Sequence, residues 1–121
     1  MDRTFTLDEA RQVLDAIRPT LDELVEVRAD LATRAHRHNQ GEDVSIPDIK
    51  ALEARMGELL DGCRARGVQV KGYAPLLLDF PMELGDRTVL LCWLEGDDEI
   101  GWYHELELGF MGRRPLDQLP G

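Results

Sequence analysis

The segment GWYHELELGFMGRRPL, residues 101–116, holds most of the side chains in this sequence that are suited to chemistry. Five residues in and near it are candidates for a ligand-binding site: Trp93, Trp102, His104, Glu105 and Arg113. In such a site His104 would serve as acid or base, Arg113 would anchor an anion, and the tryptophans would form the walls. The alternative is that these residues belong only to the last strand of a small core, where tryptophan is most often a packing residue.

A metal site is a second kind of chemistry that the sequence permits. His104 and Glu105 are the candidate ligands, but neighbouring residues of a strand point to opposite faces of the sheet. The fold would therefore have to add a ligand from Cys92, Asp79 or Glu83. His36 and His38 are two apart on a predicted helix and point in different directions. We predict no resident metal and no cofactor, assign no catalytic residue, and favour a protein that is not an enzyme.

The glycines of GFMGRRPL suggest a turn that binds an anion. Gly109 and Gly112 free the backbone, and Arg113 offers a bidentate fork. The segment lacks the Gly-Lys-Ser/Thr ending of a P-loop. The alternative is that the arginines pair with the carboxylates of this acidic protein.

The strand register decides which of these side chains meet. RTVLLCWL, residues 87–94, is predicted as a central strand, and IGWYHELEL, residues 100–108, as the strand that returns beside it. A two-residue turn at 96–97 or 97–98 pairs residues of opposite parity and places His104 on the apolar face that carries the tryptophans. A three-residue turn would exchange the faces, since a shift of one residue turns a strand over. We favour the two-residue turn.

Two helices precede these strands. Thr6 and Glu9 have the spacing of a capping box at the start of the first helix. Apolar residues then recur in steps of three and four from Ala10 to Ala35, with Arg28 as the only interruption. Pro19 lies inside this stripe and predicts a kink, because proline removes a helical hydrogen bond and clashes with the preceding turn.

The second helix is predicted between its N-cap, Ser45, and Gly67 just past its end. The short connection between the two helices is typical of an antiparallel hairpin. The run YAPLLLDFPMELGD contains two prolines, which limit a strand there to an edge or a brief piece. The sequence thus predicts one α+β domain over residues 1–121: a helical hairpin at 6–67 packed on a small antiparallel sheet at 68–116, with a tail at 117–121.

The charge of the chain excludes some partners. The net charge is −10, which argues against nucleic acid and against an anionic membrane surface. The sequence begins without a basic segment followed by an apolar one, so no secretory signal is expected. Cys63 and Cys92 are then most simply reduced thiols, and we predict a cytoplasmic protein.

Several segments resemble a known family by their order and spacing. They are FTLDEA at 5–10, RP at 18–19, GVQVK at 67–71, LDFP at 78–81 and LCWLEGDDEIGWYHELELGFMGRRPL at 91–116. Together they span nearly the whole chain and resemble a bacterial family catalogued only as a domain of unknown function, number 2203. The resemblance implies no activity. It implies that five residues belong to a family pattern: Trp93, Trp102, His104, Gly112 and Arg113.

Two classes of function follow from the sequence. We favour a non-enzymatic interaction module that forms a homodimer, because the first helix has a longer apolar stripe than the second helix can cover. One alternative is that the sheet covers the remainder of the stripe, and another is that an unidentified protein partner covers it. The rival class is a small-ligand or metal-binding domain, catalytic or not. Its site would lie around the candidate residues Trp93, Trp102, His104, Glu105 and Arg113.

Overall fold

The chain forms two helices followed by five strands. The structure, a computed structural model, describes residues 3–119, so residues 120–121 of the predicted tail lie outside the described part. The elements are α1 (Leu7–Asn39), α2 (Ile46–Ala65), β1 (Gln69–Tyr73), β2 (Leu76–Leu84), β3 (Arg87–Leu94), β4 (Trp102–Glu105) and β5 (Arg114–Pro115). The strands pair antiparallel in chain order. The predicted α+β class is confirmed.

Both helices begin at side-chain caps. The Thr6 hydroxyl accepts a hydrogen bond from the Glu9 amide at 3.1 Å, and the Glu9 carboxylate accepts one from the Thr6 amide at 2.9 Å. These bonds hold the pKa of Glu9 below its ordinary value. The Ser45 hydroxyl caps α2 by accepting from the Asp48 amide at 3.3 Å. α1 continues through Pro19 without ending, and a kink there stays a prediction.

One apolar core joins the helices to one face of the sheet, which is called the inner face below. α1 contributes Ala10, Val13, Leu14, Ile17, Leu21, Leu24 and Val27. α2 contributes Leu59, Leu60 and Cys63. The sheet contributes Leu76, Leu78, Phe80, Val89, Leu91, Trp93 and Tyr103. The first part of the predicted stripe therefore lies in the core, whereas Leu31 is half-buried and Ala35 is exposed.

Arg28, the interruption in that stripe, connects α1 to the sheet. Its guanidinium donates to both carboxylate oxygens of Glu95, at 2.6 and 2.8 Å, and to the carbonyl of Tyr73 at 2.7 Å. Glu95 also accepts from the Leu76 amide at 2.8 Å. The charged residue thus replaces an apolar contact with a bidentate, charge-assisted one.

Within residues 3–119, neither helix combines the length and the apolar character that crossing a membrane requires.

The pairing of β3 with β4 differs from the predicted register. Leu90 pairs with His104 and Cys92 pairs with Trp102, so partners have residue numbers of the same parity. Trp93 consequently lies on the inner face, whereas Trp102 and His104 lie on the opposite face, called the outer face below. The prediction that His104 shares a face with Trp93 is wrong.

Asp97 explains why the turn is longer than the two predicted residues. Its amide donates to the carbonyl of Leu94 at 2.9 Å, and its carboxylate accepts from the amide of Leu94 at 3.0 Å. Gly96 has a φ of 102°, which suits the third position of a turn closed in this way. Ile100 is then fully buried before β4 begins at Trp102.

The expectation that two prolines confine the segment YAPLLLDFPMELGD to an edge strand or a brief strand is also wrong. β2 has nine residues and lies between β1 and β3. Pro81 is tolerated because the pairing with β1 does not extend beyond Asp79. Beside Pro81 the neighbour is Phe5, whose amide donates to the Pro81 carbonyl at 2.7 Å. In a strand the nitrogen and carbonyl of one residue point to the same side, so the missing N–H removes no bond to β3.

Candidate functional site

The outer face of the sheet carries a buried polar cluster. Its members are Asp79 on β2, Cys92 on β3 and His104 on β4, which are 2%, 0% and 3% exposed. Asp79 pairs directly with Cys92, and Cys92 pairs with Trp102, which precedes His104 by two residues on the same face of β4. One donor atom from each residue can be chosen so that all three lie within 4.8 Å of one another. Buried groups of this kind have to be paired with each other, with protons or with a cation.

The orientation of the His104 ring is set by its two hydrogen-bond partners. Nδ1 lies 2.9 Å from the carbonyl oxygen of Glu105, which only accepts, so Nδ1 carries a proton and donates it. Nε2 lies 3.2 Å from both carboxylate oxygens of Asp79. A lone pair on Nε2 would repel this carboxylate. A proton or a cation must therefore lie between Nε2 and Asp79.

Cys92 lies against the same carboxylate. Burial, followed by the negative charge of Asp79, raises the pKa of the Cys92 thiol to about 12, and the positive charge of Arg113 acts in the opposite direction. Burial also raises the pKa of Asp79, although the charge of His104 and its hydrogen bond lower it. Without a cation the thiol is neutral near pH 7, so it is a poor nucleophile.

Arg113 stacks between two aromatic rings, and within residues 3–119 it forms no ion pair with a carboxylate. Its guanidinium carbon lies 4.5 Å from the ring centre of Trp102 and 4.6 Å from that of Phe110. Among the described residues, its buried Nη1 atom has no hydrogen-bond partner. Each cation–π contact contributes on the order of 1 kcal/mol. The stack therefore helps to hold residues 106–113, called the cap segment below, against the outer face.

The cap segment also depends on a glycine. A β-carbon at Gly112 would lie 2.5 Å from the β-carbon of Leu108, closer than any ordinary contact. Close packing against Leu108 thus requires glycine at position 112, and the anion-binding turn stays a prediction. Leu108 and Met111 on the same segment expose 52% and 93% of their surface, so the segment lies at the surface of the protein.

A cavity of about 160 Å³ adjoins the polar cluster. Asp79 and His104 form its polar wall, and Lys71 is its cation. The other lining residues are Leu77, Leu90, Leu106, Gly109 and Phe110. The last three belong to the cap segment, so the cavity lies between this segment and the sheet.

The structure brings together three of the five residues that the sequence singled out. Trp102, His104 and Arg113 meet on the outer face. Trp93 lies in the core, where its indole N–H donates to the carbonyl of Asp97 at 2.9 Å. The Glu105 carboxylate forms an ion pair with Arg87 at 3.1 Å, and only the Glu105 backbone reaches His104.

The other members of the site come from elsewhere in the chain. Asp79 and Cys92 are two of the three residues from which a metal site was expected to take a further ligand, whereas Glu83 is exposed and lies outside the cluster. The signal for Asp79 is its place as a lone carboxylate in the apolar run LLLDFP. Lys71 and Phe110 have no comparable signal, because they reach the site only through a bulge and a surface turn.

Comparison with known proteins gives one match. A family model with the description "Uncharacterized conserved protein (DUF2203)" matches residues 3–116, in agreement with the resemblance seen in the sequence. No curated protein and no solved structure matches the chain. The matched range contains the polar cluster, the cavity and the cap segment.

Proposed function

The chain belongs to the DUF2203 family, whose description names no activity, and we propose that it binds one divalent metal ion of the zinc type through Asp79, Cys92 and His104. Zinc accepts oxygen, sulfur and nitrogen ligands together, and its sites with three protein ligands keep a fourth position open. The donor set here is one of each. A cytoplasmic location, where thiols stay reduced, belongs to the same proposal, because the ion requires a free thiolate.

The observation that carries this proposal is the geometry around His104. Tetrahedral coordination at about 2.0–2.3 Å places neighbouring ligand atoms about 3.3–3.7 Å apart, and Nε2 lies 3.2 Å from the Asp79 oxygens. Metal-binding histidines usually donate their second ring N–H to a carbonyl or a carboxylate. The bond from Nδ1 to the Glu105 carbonyl is of this kind.

Charge balance supports the same assignment. A dication would neutralise the carboxylate of Asp79 and a thiolate at Cys92, both of which are costly to bury alone. It would replace the proton between Nε2 and the carboxylate together with the proton of the thiol. Metal binding is therefore expected to release protons.

Cobalt(II) titration of the chelator-treated protein tests the proposal. We expect one cobalt ion per chain and a near-ultraviolet thiolate-to-cobalt charge-transfer band. Cys92→Ser should remove the band and weaken binding at least tenfold, in the range typical of lost metal-site contacts. Cys63→Ala is the matched control, because Cys63 is a buried free thiol in the opposite, apolar core. Failure of the wild type to bind cobalt, or an unchanged band in Cys92→Ser, would refute the proposal.

A second proposal concerns the helices. We propose that α1 and α2 form the predicted antiparallel hairpin and that its far end pairs with a second copy of the chain. Two observations support this proposal. The buried residues of α1 end at Val27, although its apolar stripe continues to Leu31. Ile46, at the start of α2, is 50% exposed. A different protein partner is the alternative occupant.

Light scattering over a dilution series tests the homodimer. The expected mass is twice that of the 13.7 kDa chain. Leu31→Asp should shift the protein to the monomer mass, because it places a charge in the proposed apolar contact. Ala29→Asp, an exposed position two residues earlier, should not. A wild type that has the monomer mass throughout the series would exclude this homodimer.

A further inference from the structure

We infer that the cavity beside the polar cluster binds a small carboxylate, with its head group on the metal ion and a short alkyl tail against the apolar wall. This inference rests on the proposed metal site and adds the class of ligand that the site takes. Three features of the outer face support it: the direction of the ion's fourth coordination position, the charges around the cavity, and the size and lining of the cavity.

The first feature is the position of the ligands around the cavity. Asp79 and His104 both line it, whereas Cys92, which is fully buried, does not. An ion held by the three residues therefore has Cys92 behind it. Three protein ligands leave the fourth position of a tetrahedral ion open. That position would face the cavity, because Asp79 and His104 line the cavity and Cys92 does not.

The second feature is the charge around the cavity. An ion with two positive charges, bound to one carboxylate and one thiolate, forms a centre with no net charge. Two further cations surround this centre: Lys71 lines the cavity, and Arg113 acts on Cys92. In a chain with a net charge of −10, this local excess of positive charge favours an anion.

The position of Lys71 depends on an irregularity in β1. The register with β2 shifts between Val70 and Gly72, which leaves Lys71 without a partner. Bulges of this kind change the direction of a side chain and often lie beside binding sites. An ammonium group at the cavity and a metal ion within it can bind the two oxygens of one carboxylate.

The third feature is the volume and the character of the wall. The cavity of about 160 Å³ is lined on its apolar side by Leu77, Leu90, Leu106 and Phe110. A water molecule occupies about 30 Å³ in the liquid, so the cavity has the volume of about five waters. This space covers a head group with two to four carbons, and the further carbons of a longer chain would lie outside it. A leucine- and phenylalanine-lined wall stabilises methylene groups and not a second charge.

The test uses the full chain loaded with cobalt(II) and follows the visible cobalt bands. Acetate, propionate and butyrate should each change the bands in a saturable way, with affinity rising about fourfold for each buried methylene. Octanoate should bind no more tightly than butyrate, because its further methylenes would lie outside the cavity. n-Butylammonium, which has the tail but the opposite charge, should leave the bands unchanged.

A pair of lysine variants provides the matched control. Lys71→Met keeps the length and apolar stem of the side chain but removes the charge, and it should weaken butyrate binding about tenfold. Lys50→Met removes the other lysine of the chain, which is exposed on α2 beside Glu53, and should have no effect. Both variants should bind cobalt as the wild type does.

The outcomes separate this inference from the proposal on which it rests. Cobalt that binds with its thiolate band but does not respond to any carboxylate overturns the carboxylate site alone. An equal response to butyrate and n-butylammonium, or equal butyrate affinities in the two lysine variants, overturns it as well. A protein that binds no cobalt overturns the metal site and the carboxylate site together.

Discussion

Replacing His104 with alanine is expected to lower the free energy of unfolding of the metal-free protein by about 3–5 kcal/mol. The substitution removes the partner of Asp79, which is 2% exposed and has Nε2 of His104 at 3.2 Å. It also leaves a cavity in a closely packed sheet face. Urea denaturation at neutral pH in the presence of a chelator measures this loss.

Two variants separate this effect from a general one. His36→Ala, at an exposed histidine on α1, should change the free energy of unfolding by less than about 0.5 kcal/mol. Asp79→Asn keeps a side-chain amide that can donate to Nε2, so it should cost less than half as much as His104→Ala, yet it should bind no cobalt because the anionic ligand is gone. A loss below about 1 kcal/mol in His104→Ala would contradict a buried pair between these residues.

The second large effect is expected at Glu95. Glu95→Gln should lower the free energy of unfolding by about 2 kcal/mol at neutral pH, because it weakens the bidentate contact with Arg28 and the bond from the Leu76 amide. Glu99→Gln is the matched control, since Glu99 is 71% exposed and lies 3.8 Å from Arg11. Such exposed pairs contribute about 0–1 kcal/mol.

The pH dependence of this difference has a defined sign. The hydrogen bond from Arg28, with that from the Leu76 amide, holds the pKa of Glu95 at about 2, below its ordinary value of 4.5. A lowered carboxylate pKa stabilises the folded state above the unfolded-state pKa, and this contribution is lost as the pH falls through the folded-state pKa. Urea melts of the wild type and Glu95→Gln should therefore differ most above about pH 5 and converge towards about pH 2. A difference that is constant from pH 7 to 3 would contradict the role of the charge.

The parts of the fold that depend on neighbouring residues in the chain could be predicted from the sequence. The capping box of Thr6 and Glu9 is one such part, and the α1 stripe up to Val27 is another, since both follow from helical spacing alone. The β3–β4 register could not be predicted, because it depends on how Asp97 closes its turn onto Leu94. The length of β2 could not be predicted either. It depends on Phe5, a residue far away in the sequence, which forms the hydrogen bond to Pro81 where β1 is absent.

The candidate site also combines residues that are close in the sequence with residues that only the fold brings together. His104, Trp102 and Arg113 lie within twelve residues of one another in the sequence and could be identified together. Asp79 and Cys92 could be named only as residues that the fold would have to supply, since strand pairing decides whether they meet His104. The sequence did not predict Lys71 as part of the site, because a bulge is a local departure from the alternation on which strand predictions rest.

The three clustered residues come one from each of three adjoining strands, with Asp79 and His104 separated by 25 residues in the sequence. An ion bound by all three would be a cross-link that the unfolded chain lacks, so it would stabilise the folded state, whereas a disulfide persists on unfolding and restricts the unfolded ensemble. A ligand held only by the folded state shifts the folding equilibrium by mass action, by about 2.7 kcal/mol at a free concentration of 100 times Kd. Proteases act on the small unfolded fraction, so the supply of metal would set the lifetime of this protein in the cell.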